Sequence, residues 1–244
     1  MSRTALVIVP TFNERENLPL LVKGLLAVSG VSVLVVDDNS PDGTGAIADD
    51  LARSSGGRLT VMHRTEKRGL GRSFVDGIAL AVTQPVDVIC QMDADLSHDP
   101  RYLPDLIAAT DRADVVIGSR YVAGGAIVNW PKRRRLLSRF ANLYIRTVTR
   151  LSPRDCTSGY RCWRRDALAA LNRDRFTSDG YSFLVEMLFA AARSGCRIAE
   201  VPITFVERRL GESKLSSAVL VESALTPWRL VATKDTDRPF RAMV

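Results

Sequence analysis

Short apolar runs that lead directly into polar residues are the feature of this chain that most constrains its fold. Residues 5–9, 33–36 and 86–90 are rich in Val and Ile, and each run is followed by turn-forming or acidic residues. Such runs are typical of strands buried on both faces of a parallel sheet. Segments with helical character are predicted at 43–54, 69–82 and 99–110, and a further strand at 114–118. This alternation predicts an α/β protein with a mostly parallel central sheet flanked by helices.

Two of the predicted strands lead to paired carboxylates. Asp93 and Asp95 follow the run 86–90, and Asp37 and Asp38 follow the run 33–36. In open α/β sheets, ligands bind in the crevice outside the carboxyl ends of the strands. Carboxylate oxygens at this place suit Mg²⁺ or Mn²⁺ bridging to a diphosphate. An isolated Asp-x-Asp is more often a polar strand end, but the second acidic strand end favours a ligand site.

The first strand also ends in polar residues, at 10–14. Asn13, with Glu16 three residues later, is a variant of the capping box. It predicts that a helix begins here and buries Leu18 and Leu25 on its apolar face.

The motifs at these strand ends resemble those of family 2 glycosyltransferases, which are inverting, nucleotide-sugar-dependent enzymes with the GT-A (Rossmann-like) fold. Within that family, the chain resembles the dolichol- or polyprenol-phosphate mannose synthases. The motifs are, in family order, IVPTFNE at 8–14, VDDNSPDGT at 36–44, DAD at 93–95, GSRY at 118–121, NWP at 129–131, TSGYR at 157–161 and GESK at 211–214. The resemblance runs from about residue 4 to residue 214. Phe12 stands where the family usually has Tyr, and Ser97 where relatives often have Gln.

The resemblance implies transfer of mannose, with inversion, from GDP-mannose to a polyprenyl (dolichyl-type) phosphate, which gives polyprenyl-phosphate mannose and GDP. It implies Mg²⁺ or Mn²⁺ as cofactor, held by Asp93 and Asp95, with Ser97 as a further candidate ligand. The catalytic residues that it implies are Asp95, Arg120 and Lys214.

The same resemblance assigns residues to the two substrates. The nucleotide-sugar residues are Pro10, Phe12, Glu14, Val36, Asp38, Asp93, Ala94, Asp95, Arg208 and Lys214. The acceptor phosphate residues are Arg120, Arg134 and Ser138. A phosphate monoester has a second pKa of about 6 and is largely dianionic at neutral pH, so no strong general base is expected.

The net charge of +7, from 34 basic and 27 acidic residues, is compatible with nucleic acid, anionic lipid or phosphorylated substrates as partners. The distribution of charge favours a membrane surface, because the basic run 132–135 opens an amphipathic helix predicted at 132–150. The alternative is a solvated basic helix packed on the domain. No nucleic-acid-binding module is recognisable, so we expect no nucleic acid partner.

A second apolar segment, at 214–232, contains Glu222, Pro227 and Arg229 and suggests another interfacial helix. No apolar run approaches the roughly 20 residues that span a bilayer, and residues 1–4 lead straight into a strand without a signal peptide. We therefore expect a peripheral protein on the cytoplasmic face of the membrane, with a membrane-anchored partner protein as a possibility. The expected organisation is a single catalytic domain at 1–233 and a flexible tail at 234–244.

The four cysteines, Cys90, Cys156, Cys162 and Cys196, have no zinc-site spacing and are predicted to be reduced structural thiols. Two other functions stay open. The protein could transfer glucose or another sugar from a UDP-sugar to a polyprenyl phosphate, or it could be a non-catalytic membrane-associated subunit.

Overall fold

The computed structural model describes residues 3–171, 176, 178, 180–207 and 217–233. Arg208, Lys214, the rest of the GESK motif and the tail predicted at 234–244 lie outside the described residues.

Strands and helices alternate along the described part of the chain. The strands are β1 (Ala5–Thr11), β2 (Val31–Asp37), β3 (Leu59–His63), β4 (Val88–Gln91), β5 (Val115–Ser119), β6 (Ala126–Val128), β7 (Arg161–Arg164), β8 (Ile198–Pro202) and β9 (Thr204–Val206). The helices are α1 (Leu18–Leu26), α2 (Thr44–Ser54), α3 (Leu70–Ala81), α4 (Leu103–Ala109), α5 (Lys132–Thr149), α6 (Arg165–Ala169), α7 (Gly180–Arg193) and α8 (Ser217–Ala232). The predicted strands and helices are present, with ends that differ by a few residues.

A seven-stranded sheet with the order β3-β2-β1-β4-β7-β5-β8 forms the centre of the molecule. All pairings in it are parallel except those of β7, which runs antiparallel to both β4 and β5. A small second sheet pairs β6 with β9. The prediction of a mostly parallel α/β sheet is confirmed. Because β2 and β4 flank β1 on opposite sides, the strand order reverses there, and the crevice at the carboxyl ends of β1 and β4 is a ligand-binding position.

The sheet is buried on both faces, as the continuous apolar runs predict. Val7, Ile8 and Val9 of β1 have no exposed surface. Val7 and Val9 pack in a cluster with the apolar side of α1, whereas Ile8 packs with Phe74 and Phe183 on the opposite face. Helices on both faces therefore fix the sheet and the loops at its carboxyl edge.

The predicted capping box at Asn13 and Glu16 is wrong. Helix α1 begins at Leu18 with Asn17 as its N-cap, and Asn13 lies in the left-handed region with φ of 61°. The carbonyl oxygen of Glu14 accepts hydrogen bonds from the backbone N–H groups of Asn17 and Leu18 at 3.1 and 2.9 Å. This turn occupies residues 14–17 and delays the helix.

The helix predicted at 99–110 is divided into a 3₁₀ turn, Pro100–Tyr102, and α4. Pro104 lacks the N–H that would donate to the carbonyl of Pro100 in one continuous α-helix. Asp99 caps the 3₁₀ turn, because its side chain accepts a hydrogen bond from the backbone N–H of Arg101 at 2.9 Å.

The prediction of reduced thiols is wrong for Cys90 and Cys162, which form a disulfide between β4 and β7. The antiparallel register places these two residues directly opposite each other, with their Cα atoms 4.1 Å apart. Cys156 and Cys196 are free and buried. Burial raises the pKa of the Cys156 thiol to about 12, which keeps it protonated.

Helices α5 and α8 pack side by side and leave apolar side chains exposed. The Tyr144 hydroxyl donates a hydrogen bond to the carbonyl oxygen of Ala224 at 2.6 Å. The exposed apolar side chains are Leu136, Leu137, Phe140 and Leu143 on α5 and Leu225, Trp228 and Val231 on α8. None of the helices within the described ranges has the length and apolar character to cross a membrane.

Candidate active site

The acidic pair Asp93 and Asp95 follows β4 at the carboxyl edge of the sheet. Met92 and Ala94 alternate with them and are buried in the core. Asp93 and Asp95 themselves are only partly buried. Asp93 and Asp95 line one side of a cleft, and the Asp93 side chain is 35% exposed.

Ser97 positions the Asp95 carboxylate. Its backbone N–H and its hydroxyl donate hydrogen bonds to Oδ1 of Asp95 at 3.1 and 2.5 Å. Leu96 has φ of 60°, which turns the chain back so that Ser97 reaches its neighbour. Ser97 is a candidate metal ligand by resemblance, and it lies against Asp95, one of the two carboxylates to which the same resemblance assigns the metal.

His98 forms a buried part of the cleft wall. Its ring lies between those of Tyr160 and Phe205, with centroids 5.2 and 5.4 Å away. Nδ1 accepts a hydrogen bond from the backbone N–H of Asp93 at 3.4 Å. Burial lowers the pKa of His98 to about 4, although the nearby Asp95 carboxylate acts in the opposite direction. At neutral pH the imidazole is therefore uncharged and a weak base.

Gly159 gives the Asp93 carboxylate its space. A Cβ at this position would lie 3.2 Å from Oδ2 and 3.3 Å from Oδ1 of Asp93. Such distances are shorter than ordinary van der Waals contacts, so a larger residue would push against the carboxylate. The TSGYR motif thus meets the DAD motif in the cleft through its glycine.

Arg120 lines the same cleft as the acidic pair and is held by a buried partner. Its Nε and Nη2 donate to Oδ2 and Oδ1 of Asp155, both at 2.7 Å, and Nη2 also donates to Thr157 Oγ1 at 2.8 Å. The two side chains of this ion pair are 5% and 0% exposed. The rings of Trp130 and Phe205 lie within 5.6 Å of the guanidinium carbon. A bidentate pair in this environment fixes the position of the guanidinium.

Arg134 lines the same cleft in a more exposed position. It pairs with Glu207 and stacks on Trp130, with its guanidinium carbon 4.1 Å from the ring centroid. Its side chain is 24% exposed. Ser138, the third predicted acceptor residue, is not among the residues that line the cleft. It lies further along α5 and accepts a hydrogen bond from the Tyr121 hydroxyl at 2.7 Å.

The residues assigned to the nucleotide lie at the ends of β1 and β2. Pro10 and Val36 are buried. The Val36 side chain packs in the core, so its backbone is the part of this residue at the carboxyl edge of the sheet. Phe12 is half-buried, and Lys67 Nζ lies 3.7 Å from its ring centroid. The Glu14 carboxylate accepts a hydrogen bond from Asn17 Nδ2 at 2.8 Å.

Asp38 is engaged by the chain that follows β3. Its Oδ1 accepts hydrogen bonds from Arg64 Nη1 at 2.8 Å and from the backbone N–H of Arg68 at 3.0 Å, and its Oδ2 accepts from the N–H of Gly69 at 2.9 Å. The side chain is 5% exposed. Asp38 therefore holds the segment 64–69, which carries Lys67 to the Phe12 ring.

Sequence reasoning missed three residues of the cleft. Asp155, Phe205 and Glu207 hold Arg120 and Arg134 or line the wall beside them. Asp155 is 35 residues from Arg120 and Glu207 is 73 residues from Arg134. No local pattern marks such partners, although Asp155 lies only two residues before the recognised TSGYR motif.

Similarity to solved structures establishes the class of fold. The protein is similar to glucosyl-3-phosphoglycerate synthase from Mycobacterium tuberculosis, solved with Mn²⁺, uridine diphosphate and phosphoglyceric acid. The TM-score is 0.71 at 18% identity, over 99% of this chain and 92% of the other. The structure of that enzyme with Mn²⁺, UDP-glucose and phosphoglyceric acid gives a TM-score of 0.68. The fold is therefore the GT-A fold.

The sequence comparisons establish the family. Residues 6–171 match the profile described as "Glycosyl transferase family 2", and the chain belongs to this family. It is 49% identical to the "Undecaprenyl-phosphate mannosyltransferase" of Micrococcus luteus, over 93% of this chain and 94% of that protein. It is 46% identical to the "Polyprenol monophosphomannose synthase" of Mycolicibacterium smegmatis, over 91% of this chain and 84% of that protein.

Proposed function

We propose that this family 2 glycosyltransferase transfers mannose from GDP-mannose to a polyprenyl phosphate with inversion at the anomeric carbon. The observation that carries the proposal is identity of 46–49% across nine-tenths of the chain to proteins named for mannosyl transfer to polyprenol carriers. GDP-mannose as the donor rests on the sequence resemblance.

The cleft suits a divalent cation as cofactor, Mg²⁺ or Mn²⁺. Asp93 and Asp95 offer carboxylate oxygens on one side of the cleft, and the absent side chain of Gly159 leaves room beside Asp93. Among the residues that the structure describes, no three His, Cys, Asp or Glu side chains form a metal-binding group. Two protein carboxylates completed by diphosphate oxygens and water are a usual environment for Mg²⁺. A bound cation would stabilise the negative charge that grows on the departing diphosphate.

The acceptor supplies its own nucleophile. In the proposed reaction, an oxygen of the lipid phosphate attacks the anomeric carbon from the face opposite the diphosphate, and the bond from that carbon to the diphosphate breaks. The phosphate monoester is largely dianionic at neutral pH, so its oxygen needs no strong base. The neutral, buried His98 beside the acidic pair agrees with a reaction that needs none.

The two arginines have different tasks in this proposal. Arg120, fixed by Asp155 and almost fully buried, would hold a positive charge at a constant position. Arg134 is more exposed, and its partner Glu207 is 31% exposed, so this pair can open to meet the acceptor phosphate. Arginine suits phosphate because its planar fork of donors matches two phosphate oxygens at once. Arg208 and Lys214 remain further candidates for the nucleotide sugar.

The lipid acceptor requires that the protein reach a membrane. We propose that the exposed apolar side chains of α5 and α8 contact the cytoplasmic face of the bilayer, as a peripheral protein does. Leu136, Phe140 and Trp228 are 71%, 65% and 60% exposed. Large apolar side chains on adjacent helices, with basic residues at the start of α5, are typical of interfacial helices.

The test is transfer of radiolabelled mannose from GDP-mannose into organic-extractable lipid, with polyprenyl phosphate and Mg²⁺ or Mn²⁺. We expect counts that disappear with EDTA and in Asp95→Asn, but not in the control Asp111→Asn, which removes an exposed carboxylate that pairs with Arg3.

Transfer from UDP-glucose but not from GDP-mannose would overturn the donor. Absence of transfer from both donors, with membranes present, would favour a non-catalytic subunit or an enzyme that requires a membrane-anchored partner.

A further inference from the structure

A second depression lies beside the cleft, on the other side of Arg120. We call it the α5 groove. One side of it is formed by Arg139, Asn142, Leu143 and Arg146, which lie on one face of α5. The other side is formed by Tyr121 and Val122 after β5, and by Arg154. Asp93 and Asp95 do not line this groove, and among the described residues Arg120 alone lines both the groove and the cleft.

The α5 groove carries three positive charges without matching carboxylates. Within the described ranges, no Asp or Glu forms an ion pair with Arg139, Arg146 or Arg154, whereas both cleft arginines are paired. Glu200 lies near Arg154, but its oxygens accept from the backbone N–H groups of residues 154 and 155 and from Ser119.

The side chains of Arg139 and Arg154 are exposed, and that of Arg146 is partly buried. The Nε of Arg146 is buried and has no hydrogen-bond partner among the described residues. Asn142 between them is fully used, since it donates to Ser138 O and Thr157 Oγ1 and accepts from the N–H of Cys156. The groove therefore presents guanidinium donors on a rigid floor, which is the arrangement that an anion with several oxygens can satisfy.

The position of the groove indicates where this anion comes from. Leu143 lines the groove and is 59% exposed, and it belongs to the same apolar face of α5 as Leu136 and Phe140. If that face enters the apolar boundary of a bilayer, the neighbouring arginines lie at the level of the lipid phosphates. Arginine and lysine side chains at this level are attracted by anionic lipids.

We propose that the α5 groove binds the phosphate of an anionic phospholipid headgroup and so orients the cleft at the membrane. This proposal rests on the membrane contact of the proposed function, but not on the identity of the sugar donor. The headgroup site shares Arg120 with the cleft but differs from the acceptor site, because the acceptor phosphate must reach Asp93 and Asp95, which do not line the groove.

The test compares binding to vesicles of phosphatidylcholine alone and vesicles that also contain phosphatidylglycerol, in a sedimentation assay with neither donor nor acceptor. The groove variant carries Arg139→Gln, Arg146→Gln and Arg154→Gln. The control variant carries Lys23→Gln, Arg53→Gln and Arg112→Gln, which remove the same charge at exposed positions outside the groove. Circular dichroism checks that both variants are folded.

We expect the wild-type protein and the control to bind the anionic vesicles more tightly than the neutral ones. The groove variant should lose most of this preference, a loss of roughly 10- to 100-fold in affinity at low salt for three basic residues. Equal losses in both variants would mean that net charge alone is responsible, and an unchanged preference in the groove variant would exclude the groove. Either result overturns the proposal, as does failure of the wild-type protein to bind any vesicle.

Two further arms separate the headgroup from the acceptor and from the proposed function. In the first arm, binding that increases only when polyprenyl phosphate is added to neutral vesicles would assign the groove to the acceptor. In the second arm, loss of turnover of a short, detergent-dispersed polyprenyl phosphate in the groove variant would do the same. Either result overturns the headgroup site. Selective vesicle binding in a protein that transfers no mannose would support the groove while the proposed function fails.

Discussion

The two acidic strand ends look alike in sequence and differ in structure. Asp37 and Asp38 at the end of β2 are each 4% exposed. Asp37 accepts hydrogen bonds from Thr11 and Ser40, and Asp38 holds the segment 64–69. Asp93 and Asp95 at the end of β4 are only half-buried and face a cleft.

The difference shows that one pattern can serve two purposes at the same edge of a sheet. The Asp38 carboxylate is enclosed by donors from the chain after β3, whereas Asp93 and Asp95 are half-buried beside the cleft. The carboxylates at β2 stabilise the loops around the site, whereas we expect those at β4 to take part in the reaction.

Asp38→Ala should mainly affect stability. It leaves the buried guanidinium of Arg64 with only the partly exposed Asp76 as ion-pair partner. Removing one member of a buried pair costs about 3–5 kcal/mol, and urea denaturation measures this loss in the free energy of unfolding. As the control, Asp111→Ala breaks an exposed pair with Arg3 and should cost less than about 1 kcal/mol. Equal stability of the two variants would contradict a structural role for Asp38.

Asp95→Asn should mainly affect turnover. The half-buried position makes the loss of charge tolerable for folding, so the unfolding transition should stay close to that of the wild type. Loss of a group that stabilises charge in the transition state typically costs about 10²–10³-fold in kcat, and the mannose-transfer assay measures it. If Asp95→Asn unfolds as easily as Asp38→Ala and keeps its turnover per folded molecule, the two strand ends do not differ in purpose.

Ser97→Ala should have a smaller effect on the same carboxylate. It removes the hydroxyl donor to Asp95 but keeps the backbone donor. Loss of a hydrogen bond that orients a metal ligand typically weakens metal affinity by about 10–100-fold. We expect a higher Mn²⁺ concentration at half-maximal activity, with kcat restored at saturating metal. Ser40→Ala is the matched control at the β2 end, where the hydroxyl donates to Asp37, and its metal dependence should not change.

Gly159→Ala should have the smallest effect. Its Cβ would press on the Asp93 carboxylate, which is 35% exposed and can move. Such overpacking costs about 1–3 kcal/mol where nothing can shift, so we expect a rise of no more than about tenfold in the Mn²⁺ requirement. Gly24→Ala, with a Cβ 3.1 Å from the Pro100 ring, is an equally crowded control outside the cleft. An equal rise in both variants would show that crowding in general, and not Asp93, is responsible.

The sequence was sufficient for the sheet and for the edge at which the site lies. Apolar runs and the residues that follow them are local features of the sequence. The parallel pairing of β1, β2 and β4 then brings their carboxyl ends together, independently of the conformation of the loops. The start of α1 was not predictable, since Asn13 and Asn17 are both acceptable caps and the turn at Glu14 selects the second.

Partners across the fold were beyond sequence reasoning. The Arg120–Asp155 pair and the Cys90–Cys162 disulfide depend on which strands become neighbours and in which register. The antiparallel insertion of β7 between β4 and β5 determines both, and no run of residues in β7 indicates its direction. The structural role of Asp38 was not predictable for a similar reason, because its hydrogen-bond partners follow the later strand β3.

The place of β7 also has a consequence for how the chain is made. Strands β1 to β4 can associate as soon as they leave the ribosome, since each lies beside a strand that is already present. β5 is synthesised before its neighbour β7 and has no edge to join until residues 161–164 emerge. Gly159 and Asp155 are synthesised just before β7, so Asp93 and Arg120 gain these two neighbours only when that segment emerges. Phe205 lines the cleft and Glu207 pairs with Arg134, so a nascent chain acquires the complete cleft only after about five-sixths of its length has been synthesised.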